Sequence, residues 1–188
     1  MLKKLKQIKE REIQIRDNKL EKLIKKHKIN KTDAEVLTKN LQVVELFEKV
    51  AKKINSKLAL PWITTELLSV LNYNKKTLDQ VNIKSEHVIE LLELLEQKKI
   101  TPLKAQEILR KFIPKSFSPK KEKISIITND KKLLKIIQKI IKNNKNAVKD
   151  YKKGEQKALN FLIGKVMQTT NKSADYQIVR KILEKELT

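Results

Sequence analysis

The sequence predicts an all-α protein, and three features of its composition and patterning support this. Apolar residues recur at intervals of three and four positions through most of the 188-residue chain, which is the spacing of an amphipathic helix. Two glycines and four prolines leave too few tight turns for an all-β fold. Aromatic residues make up only 4% of the chain, so the hydrophobic 39% must form a core of Leu, Ile and Val.

The first part of the chain predicts a series of helices. A long charged helix is expected over 2–28, where Lys and Glu alternate in the first half. Thr32 and Glu35 have the spacing of a capping box, which would begin a helix over "DAEVLTK". "LQVVELFEKVAKK" predicts a short helix, and 55–72 predicts another, in which Pro61 either causes a kink or lies in the first turn.

Two further helices precede a break in the pattern. Ser85 is expected to cap "EHVIELLELLEQ", and Thr101 is expected to cap "LKAQEILRKFI", with Pro102 at the first helical position. The break, "PKSFSPKKEK", holds two of the four prolines and has no helical period. We therefore predict a basic N-terminal helix, a helical domain, a linker and a tail domain, over 1–29, 30–113, 114–123 and 124–188.

The tail is expected to be a small bundle of three helices and one short helix. "ISIIT" after the linker is expected to be an extended connector, since one isolated strand is rarely stable. Thr128 or Asn129 would cap "DKKLLKIIQKIIKNN", and a short helix over 146–152 would end at Gly154. A helix over 155–171 follows, and Asp175 would cap the last one, "YQIVRKILEKEL".

The formal net charge of +22 is concentrated in the two ends of the chain. An AT-rich genome could by itself favour lysine, which accounts for 40 of the 44 basic residues. That bias should be uniform, yet residues 1–31 carry +8, residues 32–113 only +2 and residues 114–188 +12. The last third is therefore a candidate surface for a polyanion, and nucleic acid is the polyanion that it favours.

Few classes of enzyme are compatible with this composition. The chain has no cysteine, and its two glycines exclude a P-loop and a dinucleotide-binding fingerprint. His27 and His87 are interpreted as exposed helical residues, and the glutamates of "ELLELLE" as the solvated side of a helix. We therefore predict no catalytic residue, no metal and no cofactor. No apolar run reaches membrane-spanning length, so a cytoplasmic location is expected.

The helix predicted over 155–171 separates an apolar arc from a polar one. At 100° per residue, Ala158, Leu159, Leu162, Ile163 and Val166 face the core, with Met167 at the edge of their arc. The opposite side holds lysines, amides, one phenylalanine and one glycine: Lys157, Asn160, Phe161, Gly164, Lys165, Gln168, Asn171 and Lys172. Gly164 on this side suits either the close approach of a sugar-phosphate chain or a neighbouring helix, and both interpretations stay open.

The preceding helix predicts a second row of cations. Its lysines follow one another at intervals of four, four and three positions and so lie along one edge: Lys131, Lys135, Lys139 and Lys142. An ordinary solvated face would show the same spacing. Together with the polar arc and with Arg180 of the last helix, these lysines form the predicted RNA-binding surface.

The tail sequence resembles a known family. "DYKKGEQKALNFLIGKVMQTTNKSADYQIVRKILEKEL" is similar to the C-terminal segment of the B subunit of the Asp/Glu-tRNA amidotransferases, which YqeY-like proteins and the tail of the archaeal E subunit share. "DAEVLT", "NSKLALPWITTELLSVLN" and "ITPLKAQEIL" resemble the helical domain of that family in the same order. Lys165, Lys172 and Tyr176 depart from its usual Gln, Gly and Pro, and the last two departures affect the turn at 171–175.

The resemblance implies a function in tRNA amidation without catalysis by this chain. In the family, a large N-terminal domain activates and amidates the tRNA-bound glutamate or aspartate, and nothing here resembles that domain. The implied role is to hold the body of tRNA(Gln) or tRNA(Asn) near the D-loop. The implied partners are tRNA, the A subunit and the catalytic part of the B subunit. The alternative is a basic protein-interaction module that docks on a partner subunit.

Overall fold

The computed structural model describes residues 2–121, 127 and 130–187, and the side chains of 14–121, 127 and 131–187. The protein is all-α, as predicted. Within the described residues, an isolated β-bridge pairs Asn82 with Lys115. The helices are α1 (Leu2–His27), α2 (Lys31–Thr38), α3 (Leu41–Ala51), α4 (Ser56–Pro61), α5 (Leu68–Tyr73), α6 (Ser85–Glu96), α7 (Pro102–Arg110), α8 (Asp130–Asn143), α9 (Lys145–Lys152), α10 (Gln156–Thr169) and α11 (Tyr176–Leu187).

The chain forms two compact units, each made of two segments. Unit 1 comprises Met1–Glu93 and Leu109–Pro119, and unit 2 comprises Leu94–Ile108 and Lys120–Thr188. The sequence-based division around 114–123 stays a prediction. Most of "ISIIT" and both predicted caps of α8 lie outside the described residues, but the N–H of Ile127 donates to the carbonyl of Ser173 at 2.9 Å.

Asparagine side chains begin the short helices of unit 1. Asn40 and Asn55 cap α3 and α4 by accepting from backbone N–H groups of the first turn. The capping box predicted at Thr32 is wrong, because the cap of α2 is Asn30, whose Oδ1 accepts from the N–H of Asp33 at 2.8 Å. Asparagine caps a helix at least as well as threonine, and here it begins the helix two residues earlier. Thr32 is therefore already helical.

Pro61 lies at the end of α4 but does not interrupt the helical path of the chain. It is the last residue of α4, and the chain continues through a π-helical segment, Trp62–Leu67, into α5. The N–H of Leu68 donates to the carbonyl of Ile63, which is the wide spacing of a π-turn. Proline lacks an N–H and crowds the turn before it, so a change of helical spacing beside Pro61 has a physical cause. The first-turn alternative is wrong.

Both histidines lie in helices, but they are hydrogen-bonded and partly buried, so their interpretation as exposed residues is wrong. The Nδ1 of His27 lies 3.0 Å from Ser56 Oγ, and its ring packs edge-on against Phe47 with centroids 5.0 Å apart. The Nδ1 of His87 lies 2.8 Å from Ser116 Oγ. These partners lie 29 positions away along the chain, and so the helical period does not reveal them.

The core of unit 2 is formed by the apolar faces of α8, α10 and α11. The predicted arc of α10 is confirmed, since all six of its apolar residues, Ala158, Leu159, Leu162, Ile163, Val166 and Met167, are buried. They pack with buried residues of the two flanking helices, namely Leu133, Ile137, Ile140, Val179, Leu183 and Leu187. Residues at intervals of three and four thus direct one face of each helix into a single cluster.

Residues with positive φ and one helix cap form the turns before and after α10. Gly154 follows α9 with a φ of +97°, which confirms it as a turn residue. Asn171 and Lys172 follow α10 with φ values of 49° and 57°. Asp175 caps α11, as predicted, through bonds of 2.8 Å and 3.1 Å from backbone N–H groups. The turn therefore forms even though Lys172 stands at the position where the related family usually has glycine.

Candidate nucleic-acid interface

The outward face of α10 is open along its length. The predicted polar residues of the helix itself, Lys157, Asn160, Phe161, Gly164, Lys165 and Gln168, are all exposed, as is Asn171 just after it. A Cβ atom added to Gly164 would meet nothing from outside the local helix backbone within 4 Å in the described part of the chain. No described helix covers Gly164, so the neighbouring-helix interpretation is wrong for this part of the chain.

Phe161 is the exposed aromatic residue of this face. Its side chain is 48% exposed, although a phenylalanine usually contributes more to stability when it is buried. The ammonium of Lys165 lies 5.4 Å from the centroid of its ring, which is cation–π distance. The pair presents a flat apolar surface beside a positive charge.

An open groove of about 670 Å³ lies between the end of α8, the start of α9 and the start of α10. Phe161 forms one part of its wall. Lysines and asparagines form much of the remainder: Lys142, Lys145, Lys157, Asn143, Asn144 and Asn146. The groove therefore brings together three of the predicted residues, Lys142, Lys157 and Phe161.

The charged groups that line the groove are not paired with one another or with other side chains that the structure describes. None of the three lysines has a carboxylate partner among the residues whose side chains are described. Asp150 and Glu155 also line the groove, and in that same part of the chain their carboxylates have neither a hydrogen-bond nor an ion-pair partner. The groove thus offers separate cationic and acceptor groups to a ligand.

The other predicted residues are distributed differently. Lys131, Lys135 and Lys139 are exposed on α8, and none of them lines the groove. Lys172 is half-buried: its Nζ lies 3.5 Å from a carboxylate oxygen of Glu107. Its carbonyl accepts a bond of 2.6 Å from the hydroxyl of Thr101.

Arg180 also has a partner on the protein. Its Nε donates to Glu184 at 2.9 Å, and this bond raises the pKa of the guanidinium above its ordinary value. Arg180 and Lys172 are therefore already paired with carboxylates within unit 2, whereas Lys142, Lys145 and Lys157 have no such partner in the described part of the chain. A role of either residue in RNA binding stays a prediction.

Six polar residues of the groove are absent from the predicted surface: Asp150 and Glu155, and the consecutive Asn143, Asn144, Lys145 and Asn146. For the four consecutive residues the signal is present as "KNNKN", residues 142–146, a polar run between two amphipathic helices. Helical periodicity assigns faces only within a helix, and these four residues lie where α8 ends and α9 begins. Their position beside Phe161 follows from packing between helices.

The described residues also bear on two other classes of site. Among the side chains that the structure describes, no group of three or more His, Asp or Glu residues is placed to hold a metal ion. No helix of the described chain is long and apolar enough to cross a membrane.

Comparison with known proteins places the chain in a family. A family model described as the GatB domain matches residues 45–187, about three quarters of the chain. The chain belongs to the GatB domain family. The resemblance of the tail motif and of the helical blocks to this family is thereby confirmed, and the matched region includes the whole groove and the α10 face.

Several curated relatives of this GatB domain protein are described as the B subunit of aspartyl/glutamyl-tRNA(Asn/Gln) amidotransferase. The one from Methanocaldococcus jannaschii is 34% identical over 181 residues, which cover 90% of this chain and 38% of the relative. The one from Caldanaerobacter subterraneus is 32% identical over 180 residues, which cover 92% of this chain and 37% of the relative. The chain thus spans less than two fifths of the length of these proteins.

Proposed function

We propose that this chain is the tRNA-binding region of the B polypeptide of an Asp/Glu-tRNA amidotransferase. It would hold the body of tRNA(Gln) or tRNA(Asn), near the D-loop, while another domain carries out the amidation. The names of its relatives, which are B subunits of such amidotransferases, support the first part of this proposal. The net charge of +12 in residues 114–188 supports the binding of tRNA.

The observation that carries the proposal is the bare, uncovered backbone at Gly164. A helix interior favours alanine over glycine by about 1 kcal/mol, so a glycine here needs another explanation. Core packing does not explain it, since Gly164 is exposed and a Cβ would have free space among the described residues. A ligand that approaches the helix axis closely does explain it, and exposed Lys157 and Lys165 lie on the same side.

Gly164→Glu tests this face. The substitution places a carboxylate where the phosphate backbone would lie, so tRNA affinity should fall at least about tenfold, by repulsion and by steric exclusion. Helicity measured by circular dichroism should not fall, because the side chain has space. Gln42→Glu, at an exposed position on α3, introduces the same charge away from this face and should leave affinity within about twofold.

Specificity for tRNA requires a second measurement. Filter binding of tRNA and of an equally long duplex DNA should show tRNA bound more tightly at two salt concentrations. Equal affinity for the two nucleic acids would refute the proposed tRNA specificity. An unchanged tRNA affinity in Gly164→Glu, together with lost binding to the amidotransferase A subunit, would support the protein-docking alternative instead.

The proposal assigns catalysis to the rest of the enzyme. Its implied partners are the A subunit and the catalytic part of the B subunit, with tRNA as the shared ligand. We therefore expect this chain alone to form no Gln-tRNA or Asn-tRNA from the misacylated precursors. A measurable rate of amidation by the isolated chain with ATP and glutamine would contradict this expectation.

A further inference from the structure

The groove beside Phe161 has the dimensions of a small-molecule site. Its volume of about 670 Å³ lies within the range of roughly 300–1,000 Å³ that is common for ligand pockets. It is open on one side, so a residue of a polymer could enter while its neighbours stay outside. A helical RNA segment is too wide for such a groove, but a single unstacked nucleotide is not.

The lining of the groove supplies the contacts that a nucleotide needs. Phe161 offers an apolar ring for stacking, and stacking on an aromatic side chain is a common way to hold an unpaired base. Lys142, Lys145 and Lys157 offer cations without carboxylate partners in the described part of the chain. They can contact the phosphates on either side of the base.

The carboxylates of the groove limit which base it favours. Asp150 and Glu155 offer acceptor oxygens that have no donor among the described residues. A carboxylate accepts from the N4 amino group of cytosine, whereas uracil presents the O4 acceptor at that position. Two acceptors that face each other gain no hydrogen bond and lose their water, so uracil is disfavoured.

We propose that this groove binds one unstacked nucleotide of RNA, stacked on Phe161, and selects a base with an exocyclic amino group through Asp150 and Glu155. The inference rests on the proposed function, because it identifies the part of the RNA that the groove receives. It adds a base preference to a surface that otherwise would recognise only shape and charge.

The test compares two single-stranded probes, pentacytidylate and pentauridylate, by titration of the full chain at low salt. Pentacytidylate should bind at least about fivefold more tightly, which is the discrimination expected from one well-placed hydrogen-bonding pair. Asp150→Asn offers the amino group of its amide to uracil O4, so this variant should lose most of the preference while it still binds both probes. Equal binding of the two probes by the unmodified protein would overturn the inference.

Variants of the aromatic residue locate the site. Phe161→Ala should weaken binding of pentacytidylate about tenfold, and Phe161→Leu should weaken it less, because part of the apolar surface remains. Tyr73→Ala is the matched control, since Tyr73 is 89% exposed and lies in unit 1. Circular dichroism of each variant checks that the fold is retained. Weakening by Tyr73→Ala alone would overturn the assignment to this groove.

The outcomes also separate this inference from the proposed function. Selective tRNA binding without any preference for pentacytidylate would refute the nucleotide site and leave the tRNA-binding proposal standing. A preference for pentacytidylate that depends on Asp150, with no preference for tRNA over duplex DNA, would support the nucleotide site and refute tRNA selectivity.

Discussion

Gly154 and Gly164 are the two glycines of the chain, and they have opposite relations to the fold. Gly154 has a φ of +97°, which residues with a side chain rarely adopt. Gly164 lies within α10 without a positive φ, and a Cβ there would meet no described neighbour within 4 Å. The first glycine is therefore required by the backbone, whereas the second is not.

This difference predicts opposite effects of alanine at the two positions. Gly164→Ala should raise the free energy of unfolding by about 1 kcal/mol, because alanine is favoured in a helix interior. Gly154→Ala should lower it by about 1 kcal/mol or more, because the left-handed conformation is strained for alanine. Urea denaturation followed by circular dichroism measures both changes. Destabilisation by Gly164→Ala would contradict the open surroundings of this residue.

His27 predicts a pH dependence of the stability of unit 1. Burial, with a further contribution from Lys26, lowers its pKa below the ordinary value of 6.5, while Glu48 acts in the opposite direction. The unfolded state therefore binds a proton more readily than the folded state. Stability is retained above the unfolded pKa and is lost as the pH falls through about 6.5 and below.

Trp62, the single tryptophan of the sequence, lies in unit 1 and provides the measurement. The urea midpoint of its fluorescence should be lower at pH 5 than at pH 8. Since glutamine cannot gain a proton in this range, His27→Gln should reduce the difference between the two midpoints. The two proteins differ only at this side chain, so the comparison isolates the contribution of His27. An equal pH dependence in the two proteins would exclude His27 as the cause.

At the scale of single residues, the sequence predicts local hydrogen bonds better than distant ones. The caps at Thr101 and Asp175 and the turn at Gly154 depend on neighbours within four positions, and all three are confirmed. The predicted cap at Ser85 is wrong, because Ser85 is the first residue of α6 and its hydroxyl donates to the carboxylate of Glu86. Threonine and asparagine both cap helices well, and the local sequence does not show whether Thr32 or Asn30 caps α2. The partners of the histidines depend on tertiary packing, which no local pattern contains.

At the scale of helices, Thr101 joins two elements of unit 2. Its hydroxyl accepts from the N–H of Lys104 at 3.1 Å and donates to the carbonyl of Lys172 at 2.6 Å. One side chain thus caps α7 and satisfies a carbonyl in the turn between α10 and α11.

Thr101→Val tests this connection. Valine has the same shape but no hydroxyl, so two bonds are lost and a part-buried carbonyl loses its donor. The free energy of unfolding should fall by about 1–3 kcal/mol, as measured by urea denaturation. Thr101→Ser keeps the hydroxyl and should cost less than the valine substitution. A smaller loss in the valine variant than in the serine variant would indicate that the methyl group matters more than the two bonds.

The amphipathic helices were predictable as elements, whereas the groove between them was not. The apolar arc of α10 follows from spacing alone, and every residue of that arc is buried. The groove is formed by the end of one helix and the beginnings of two others. The angles and distances between helices depend on side-chain packing, which a helical wheel does not contain.

At the scale of the whole molecule, the uneven charge predicts how RNA binding depends on salt. Each lysine that contacts a phosphate contributes about 1 to the slope of log affinity against log salt concentration. Replacing Lys142, Lys145 and Lys157 by glutamine should therefore reduce the magnitude of that slope by about 3. Affinity measured at several salt concentrations gives the slope directly.

Three exposed lysines of unit 1 provide the control for this experiment: Lys52, Lys53 and Lys57. Their replacement by glutamine changes the net charge by the same amount. The slope should then change by less than about 1, because the remaining effect is one of long-range potential. Equal changes in the two triple variants would mean that net charge alone, without a defined surface, controls the binding.

Unit 2 is built from two stretches of the chain, Leu94–Ile108 and Lys120–Thr188, with Leu109–Pro119 of unit 1 between them. A protease that cuts once within 109–119 would therefore not release a free C-terminal fragment. The two peptides would stay together through contacts such as that of Thr101 with Lys172 and of Glu107 with the same lysine. A gene fragment that begins after residue 119 would encode an incomplete fold, so shortened versions of this protein should begin before Leu94.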